Sequence, residues 1–450
     1  MKIRNITLLT ATLLFASLFS GCHLYKEFEM PQDTALEKEY VDAINASVDT
    51  AAFGNLPWQQ VFTDSLLADL IERALANNVD LNNAKLNVDI AQANLRGARL
   101  SFYPSAAISP SGGVSSVGGN TVWSYNIPLS VSWEADIFAK LKNTKRSAEA
   151  TVRQTEDYTQ AVRSQIIGAV ANCYYTISAL KNQVKLNKET AEIWRKNVEV
   201  MRDYKMAGRT NEAAVVQSQA SYLGVLSSIT DLELQIEQLN NTLSLLLNEM
   251  PQEWPISENA VLNVPKIYRD GVPMRELAAR PDVRAAQENL AIAYYAINVA
   301  KAAFYPSLTI NGSIGYTNPG NFVASLLGSA VAPLFSRGQN KARLEAAQIQ
   351  QHQTLNTFAY TIMNAASEVS NAMAAYDKSN QKALILVEQV DQLEKAVDYT
   401  KELFKYGGST YLEVLTAQSN LLGAQMNQIS CDLSKSIAVI NLYQALGGGR

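Results

Sequence analysis

Residues 341–405 contain neither proline nor glycine. Within them, apolar or small side chains recur at Leu344, Ala347, Leu355, Phe358, Ile362, Ala365, Val369, Met373 and Tyr376. The series continues at Val387, Val390, Leu393, Val397 and Phe404. The steps are mostly three and four, a heptad pattern that specifies one helix with a buried stripe. At 1.5 Å per residue such a helix is roughly 100 Å long. Most helices of compact domains are far shorter, about three turns. A plain coiled-coil rod would account for this run, but not for the strands that accompany it.

The same design occurs twice. SFYPS at 101–105 recurs as AFYPS at 303–307. Upstream, Asp80, Ala84 and Ala91 correspond to Asp282, Ala286 and Ala293. Downstream, Gly208, Val215 and Gln219 correspond to Gly407, Val414 and Gln418. An offset held at roughly 200 residues marks one unit used twice. Each unit reads helix, two strands, very long helix, tight turn, helix. The first long helix covers 141–206 and tolerates Gly168. Both long helices stop at glycine, Gly208 in KMAGRTN and Gly407-Gly408 in KYGGSTY, the usual C-terminal stop. Thr210, and Ser409 or Thr410, stand where the next helix needs a cap.

The clearest strand signal is WSYNIPLSVSW, residues 123–133. Trp123, Tyr125, Ile127, Leu129, Val131 and Trp133 alternate with Ser, Asn and Pro, which gives a strand with one apolar face. A tilted strand needs about 9–11 residues to cross a bilayer, and aromatic residues at both ends are the mark of a lipid-facing strand. A half-buried strand of a soluble sheet is the other reading. Companion strands are expected over 105–114, 308–316 and 322–335, the last with poor alternation. Pro128 costs a ladder hydrogen bond on either reading. In lipid no sheet edge survives, so the barrel must close. Four strands per chain are too few, because the smallest single-chain barrels use about eight. A homo-oligomer must pool its strands, and repetition alone leaves a dimer and a trimer both open.

With 38 Lys and Arg against 42 Asp and Glu, the formal charge of −4 gives no argument for a nucleic-acid partner or an anionic membrane surface, and no nucleic acid is expected. Two His and three Cys leave little material for a zinc site or a Cys–His nucleophile pair. Cys173 and Cys431 sit in helical patterns and are expected to be small buried or lumen-side residues. The start of the chain is different. Lys2 and Arg4 precede an apolar run that ends at Ser20, Gly21 and Cys22, a secretory signal. Ordinary cleavage near Gly21 is one reading. The favoured one is a lipoprotein signal over 1–21, with Cys22 acylated as the first mature residue, although Phe19 replaces the usual aliphatic side chain. Each buried acyl CH₂ then adds about 0.8 kcal/mol of membrane affinity. No later apolar stretch is long enough to span as a helix.

Taken together, these segments resemble the TolC-type outer-membrane factors, most closely the lipoprotein (NodT/OprM-like) branch of tripartite RND efflux systems. PWQQVFTDSLLADLIERALANNVDL carries Trp58, Phe62, Asp64, Leu67, Ala74, Asn78 and Asp80. SWEADIFAKLKN carries Trp133, Glu134, Asp136 and Phe138. GVPMRELAARPDVRAAQENLAIA carries Gly271, Pro273, Leu277, Arg280, Pro281, Asp282 and Ala286. APLFSRGQNKARLEAA resembles the second strand-to-helix junction. The sequence departs at Ala139, where the family often has Gly, and this reads as a minor packing change. The organisation so implied is a tether over 22–60, a first repeat over 61–250 (hairpin 105–133, tip 207–211), a linker over 251–272, and a second repeat over 273–450 (hairpin 307–335, tip 406–410).

The resemblance implies a homotrimer, mainly α with a small β part. Twelve pooled strands form one outer-membrane barrel, which continues into a periplasmic α-barrel girdled by an equatorial domain. It implies passive conduction of drugs, toxic compounds or metal ions, without catalysis and without a cofactor beyond the lipid on Cys22. The implied partners are a periplasmic adaptor (membrane fusion) protein, an inner-membrane RND-type transporter and outer-membrane lipid. The gate is expected at the tips. Glu413 and Thr416 fall where some members carry two acidic residues, and Tyr406 and Tyr411 flank them. Clustered carboxylates in a narrow opening favour cations, while a local salt bridge of Glu413 with Lys405 is the plainer reading. Ala207, Gly208, Arg209, Thr210, Gly407, Gly408, Ser409 and Thr410 are expected to dock the adaptor. A type I secretion duct and a non-spanning coiled-coil scaffold are the competing functions.

Overall fold

A computed structural model describes residues 25–45, 53–118, 120–258, 260, 262, 274–317, 321–331 and 337–449. The signal segment, Cys22, Gly271, Pro273 and most of the linker lie outside the described residues.

The elements come in two series. The first has α1 (Ala35–Asn45), α2 (Trp58–Val61), α3 (Ser65–Asn77), α4 (Val79–Leu100), β1 (Ser105–Ile108), β2 (Ser111–Val117), β3 (Asn120–Ala135), α5 (Lys140–Met206) and α6 (Glu212–Leu247). The second has α7 (Met274–Ala278), α8 (Pro281–Ala302), β4 (Ser307–Thr317), β5 (Asn321–Val331), α9 (Gln339–Lys405) and α10 (Tyr411–Ala445). Helices α5 and α9 each have 67 residues, and α4 and α8 each have 22. Among the described residues no helix is long and apolar enough to cross a membrane.

The chain divides into two compact units. The first combines 1–41, 85–158 and 282–361, and it holds the sheet. All pairings are antiparallel, in the order β1/β2, β3, β4, β5. The segment expected as one strand over 105–114 is two, yet both keep one register on β3: Ile108 faces Leu129 and Ser111 faces Asn126. The break falls at Ser109-Pro110, opposite Pro128. Ser109 N donates to Pro128 O at 3.2 Å, and the return bond cannot form because Pro128 has no N–H. Its other neighbour is Gly315. A Cβ on Gly315 would stand 2.8 Å from Pro128 Cα and 2.9 Å from Ile127 O. Glycine there permits the close approach, which accounts for Pro128 in a central strand. Strand β3 runs past the 123–133 of the sequence signal at both ends, and β5 ends at Val331; Phe335 lies outside the described residues.

Both junctions from sheet to long helix are built locally. Asp136 accepts from Leu141 N at 2.9 Å and Lys142 N at 2.7 Å, satisfying the bare first turn of α5. Trp133 Nε1 donates to Phe102 O at 2.9 Å, and Asn340 Nδ2 donates to Ala303 O at 2.8 Å. Ala139 has φ 52° and its counterpart Gly338 has φ 78°. The alanine is therefore no minor packing change: it holds a left-handed conformation that glycine adopts without steric cost. The N-terminal stretch is more than a tether over its described part. Arg146 donates to the carbonyls of Tyr25 and Lys26 and pairs with Glu27. Tyr40, on the unforeseen helix α1, is fully buried against Phe358.

The second unit, 42–84, 159–281 and 362–450, holds the tips and a core joining residues 53–64 to the C-terminal helix. Asp64 caps α3 through Leu66 N and accepts from Tyr174 Oη at 2.8 Å. Burial pushes the Asp64 carboxyl up, but these hydrogen bonds outweigh it and hold the group below the ordinary carboxylate value. Tyr443 Oη donates to Leu56 O at 2.7 Å, and its ring meets Phe53 and Phe62 edge-on. Buried Arg280 reaches Ala445 O and Glu368. Gly54 is in contact with Leu446, where an added Cβ would stand 2.2 Å from the Leu446 carbonyl oxygen. Cys173 and Cys431 are buried free thiols, as expected.

Candidate functional site

Two places in the structure bear on function, the sheet faces and the helix tips. Antiparallel register decides which side chains share a face of the sheet. Ile127 faces Tyr316, Leu129 faces Ile314, and Trp133 faces Ile310; Tyr316 in turn faces Phe322 and Gly312 faces Leu326. All six side chains expected on the lipid side (Trp123, Tyr125, Ile127, Leu129, Val131 and Trp133) therefore belong to one apolar face continued across β4 and β5. It is open in the single chain, with Trp123 70 %, Phe322 69 % and Leu326 78 % exposed. Exposed apolar area of this extent marks a surface that another phase or chain covers. Tyr125 and Tyr316 stack with ring centroids 6.3 Å apart. The opposite face carries Ser, Thr and Asn side chains. Ser130 Oγ donates to Ala107 O, and the Ser313 and Ser325 hydroxyls lie 2.7 Å apart. Val323, Leu327 and Val331 of β5 interrupt it.

At the tips, each long helix closes on a glycine with positive φ: Gly208 at 68° and Gly407 at 80°. Gly208 N donates to Lys205 O and Arg209 N to Tyr204 O, while Gly407 N donates to Phe404 O and Gly408 N to Leu403 O. This is the Schellman arrangement, used in the same way in both repeats. The caps that follow differ. Asn211, not Thr210, accepts from Ala214 N at 3.1 Å to cap α6. The signal was present, since Asn stands directly before the helix. Thr410 caps α10 and pairs with Glu413, whose Oε1 accepts from Thr410 N at 3.4 Å and Thr410 Oγ1 at 3.0 Å.

Glu413 is thus the acidic member of a capping box. The Lys405 ammonium lies 5.6 Å from the Tyr406 ring centroid, so the salt bridge weighed for Glu413 is not how this lysine is used. Thr416 Oγ1 bonds back to Leu412 O at 2.8 Å, and Tyr406 is 76 % exposed. Tyr411 is buried. It packs with Met201, Val215, Val414 and Leu415, flanked by Tyr204 and Phe404. Phe404 meets both tyrosines with centroids 5.6 Å apart. Burial raises the Tyr411 phenol, partly offset by the Ser218 hydroxyl. This core and a hydrogen bond of 3.0 Å from Asn197 Nδ2 to Gln418 Oε1 tie the two tips of one chain together. Gly208, Arg209, Thr210, Asn211, Ser409, Thr410 and Leu412 line a groove of about 670 Å³ between them.

An amphipathic antiparallel sheet with open edges, continuous in sequence with two helices of 67 residues, defines a channel-forming envelope protein. The profile of the outer membrane efflux protein family matches residues 70–249 and 272–448, and the chain belongs to that family. It is an outer-membrane efflux channel, in a family of transport ducts rather than enzymes. The cation efflux system protein CusC of Escherichia coli K12 is 27 % identical over 96 % of this chain and 98 % of its own. The toluene efflux pump outer membrane protein TtgC of Pseudomonas putida is 28 % identical over 96 % and 94 %. The probable outer membrane lipoprotein SilC of Salmonella typhimurium is 27 % identical over 99 % of both chains. A crystal structure of CusC matches with TM-score 0.84 at 25 % identity, covering 94 % of this chain and 98 % of that one. The open-state MtrE outer membrane channel of Neisseria gonorrhoeae matches with TM-score 0.77 at 25 % identity, covering 94 % and 97 %.

Proposed function

We propose that this channel is the exit duct of a tripartite efflux pump, working as a homotrimer. The observation that carries the reading is the sheet. It has an apolar aromatic face, a hydroxyl face and two unpaired edges, β1/β2 and β5. Unpaired edges in lipid cost several kcal/mol per unsatisfied group, so neighbouring copies supply the missing ladders. Three chains pool twelve strands, counting β1/β2 as one interrupted strand, with Trp123 to Trp133 against lipid and the hydroxyl face inward. Cys22 carries the lipid that holds the chain to the outer membrane. The tips, with Glu413, Thr416 and Tyr406, form the periplasmic gate. Their groove, with Ala207, Gly407 and Gly408 beside it in sequence, receives a periplasmic adaptor that links the duct to an RND-type transporter.

Relatives named for cation and for toluene efflux are equally similar to this chain, at 27 % and 28 % identity. Resemblance therefore assigns no cargo, which fits a duct whose pump selects the substrate. Deleting the protein and screening susceptibility to antibiotics, solvents, bile acids and metal ions tests the function. Hypersensitivity to one class is expected. Unchanged resistance with a trapped secreted polypeptide would overturn it.

A further inference from the structure

Residues 105–135 and 307–331, which contain every strand of the sheet, hold one charged side chain, Glu134. That carboxylate lies at the helix end of β3, with Oε1 3.1 Å from the Lys140 ammonium. The face opposite the aromatic one carries Ser124, Asn126, Ser130, Asn311, Ser313 and Ser325. Its hydroxyls are engaged with the sheet itself: Ser124 with Gly113 O at 3.4 Å, Ser130 with Ala107 O at 3.1 Å, Ser329 with Thr309 O at 3.3 Å. The apolar intrusions on this face, Val323, Leu327 and Val331, add no charge.

Pores sort ions by sign through rings of like-charged side chains in a narrow passage. The carboxamides of Asn126 and Asn311 on this face both donate and accept, and the wall carries no formal charge beyond Glu134, so it solvates cations, anions and neutral polar solutes alike. We infer that the membrane-spanning part of this duct is indifferent to charge. The inference rests on the trimeric-barrel reading, in which the hydroxyl face lines the lumen. It adds that one outer-membrane exit serves cargo of either sign without change to the barrel. It further predicts that a single new charge per chain confers a selectivity the wall lacks.

Reversal potentials in planar bilayers under a KCl gradient test this on the purified full-length protein. Glu134→Gln should leave the reversal potential where the wild type has it. Asn311→Asp, which changes charge at constant shape, should shift it toward the potassium equilibrium potential. Asn311→Lys should shift it the opposite way. Asn126→Asp repeats the test on a different strand, in case Asn311→Lys fails to assemble. A shift with Glu134→Gln, alongside the Asp shifts, would overturn the charge-neutral wall but leave the duct intact. Conducting channels in which both Asp variants are silent would show that this face does not line the lumen, and would overturn the barrel reading and the inference together.

Discussion

Gly315→Ala is the sharpest test of the sheet. A Cβ there would stand 2.8 Å from Pro128 Cα and 2.9 Å from Ile127 O, short of the 3.4 Å at which ordinary contact begins. Both obstacles are backbone, so relief requires β3 and β4 to separate by about half an ångström along their shared ladder. Overpacking of this kind costs about 1–3 kcal/mol. Against it stands a gain of about 0.4–1 kcal/mol from the less flexible unfolded chain. Two other glycines of the sheet calibrate the effect. Gly312→Ala meets Leu326 Cδ1 at 3.7 Å and Ser325 O at 4.0 Å, both ordinary contacts, and Gly328→Ala meets nothing within 4 Å. The expected order of stability is Gly328→Ala at or above wild type, Gly312→Ala near it, and Gly315→Ala below it by about 1–2 kcal/mol. Denaturant midpoints in detergent, followed by tryptophan emission, measure this, since Trp123 and Trp133 report on the sheet. Equal midpoints for Gly315→Ala and Gly328→Ala would refute the account of Pro128.

Ala139→Gly should stabilise by up to about 1 kcal/mol, relieving a left-handed alanine, whereas Gly338→Ala should destabilise, because each left-handed L-residue costs about 1–2 kcal/mol; thermal midpoints of opposite sign check the pair. Glu413→Ala should weaken the cap of α10 by about 0.5–2 kcal/mol and speed amide exchange over residues 411–414, whereas unchanged exchange would return Glu413 to a purely pore-facing role. Asp64 has a lowered folded pKa, so its contribution is full above its unfolded value and is lost as pH falls through the folded one. The stability gap between wild type and Asp64→Asn should therefore be largest at neutral pH and shrink in acid; urea midpoints at neutral and acid pH decide it. Gly54→Ala should destabilise strongly, because the Leu446 carbonyl at 2.2 Å is backbone that cannot swing away; a midpoint equal to wild type would remove that contact from the account.

Periodicity made the long helices legible almost to the residue, since 67 residues of heptad need no tertiary information to be recognised. The glycine stops were legible for the same reason: positive φ at the end of a helix is a local demand. The broken first strand was not. Ser109-Pro110 reads as a turn or as a strand, and only the unbroken register on β3 shows that the two pieces belong to one ribbon. Ala139 was misread because a left-handed φ leaves no trace in composition when the residue is not glycine.

The tips show where analogy between repeats reaches its limit. Gly208 and Gly407 perform one backbone task, yet the next cap is Asn211 in one repeat and Thr410 with Glu413 in the other. An acidic residue at the third position of α10 satisfies a sequence pattern for a gate and a sequence pattern for a capping box at once. The structure shows the second pattern in use, with the carboxylate on Thr410. The two tasks are compatible only if the cap fixes the rotamer that a gate would present to the axis. Tyr411 has no such dual reading: it is packed between the two tips of its own chain. Loosening within one chain would have to break that aromatic core, whereas motion of whole tips between chains would leave it intact, so Phe404→Ala, which removes the ring shared by Tyr204 and Tyr411, separates the two. It should raise open-channel occupancy in bilayers if hairpins part within a chain, and leave it unchanged if each chain's tips move as one piece.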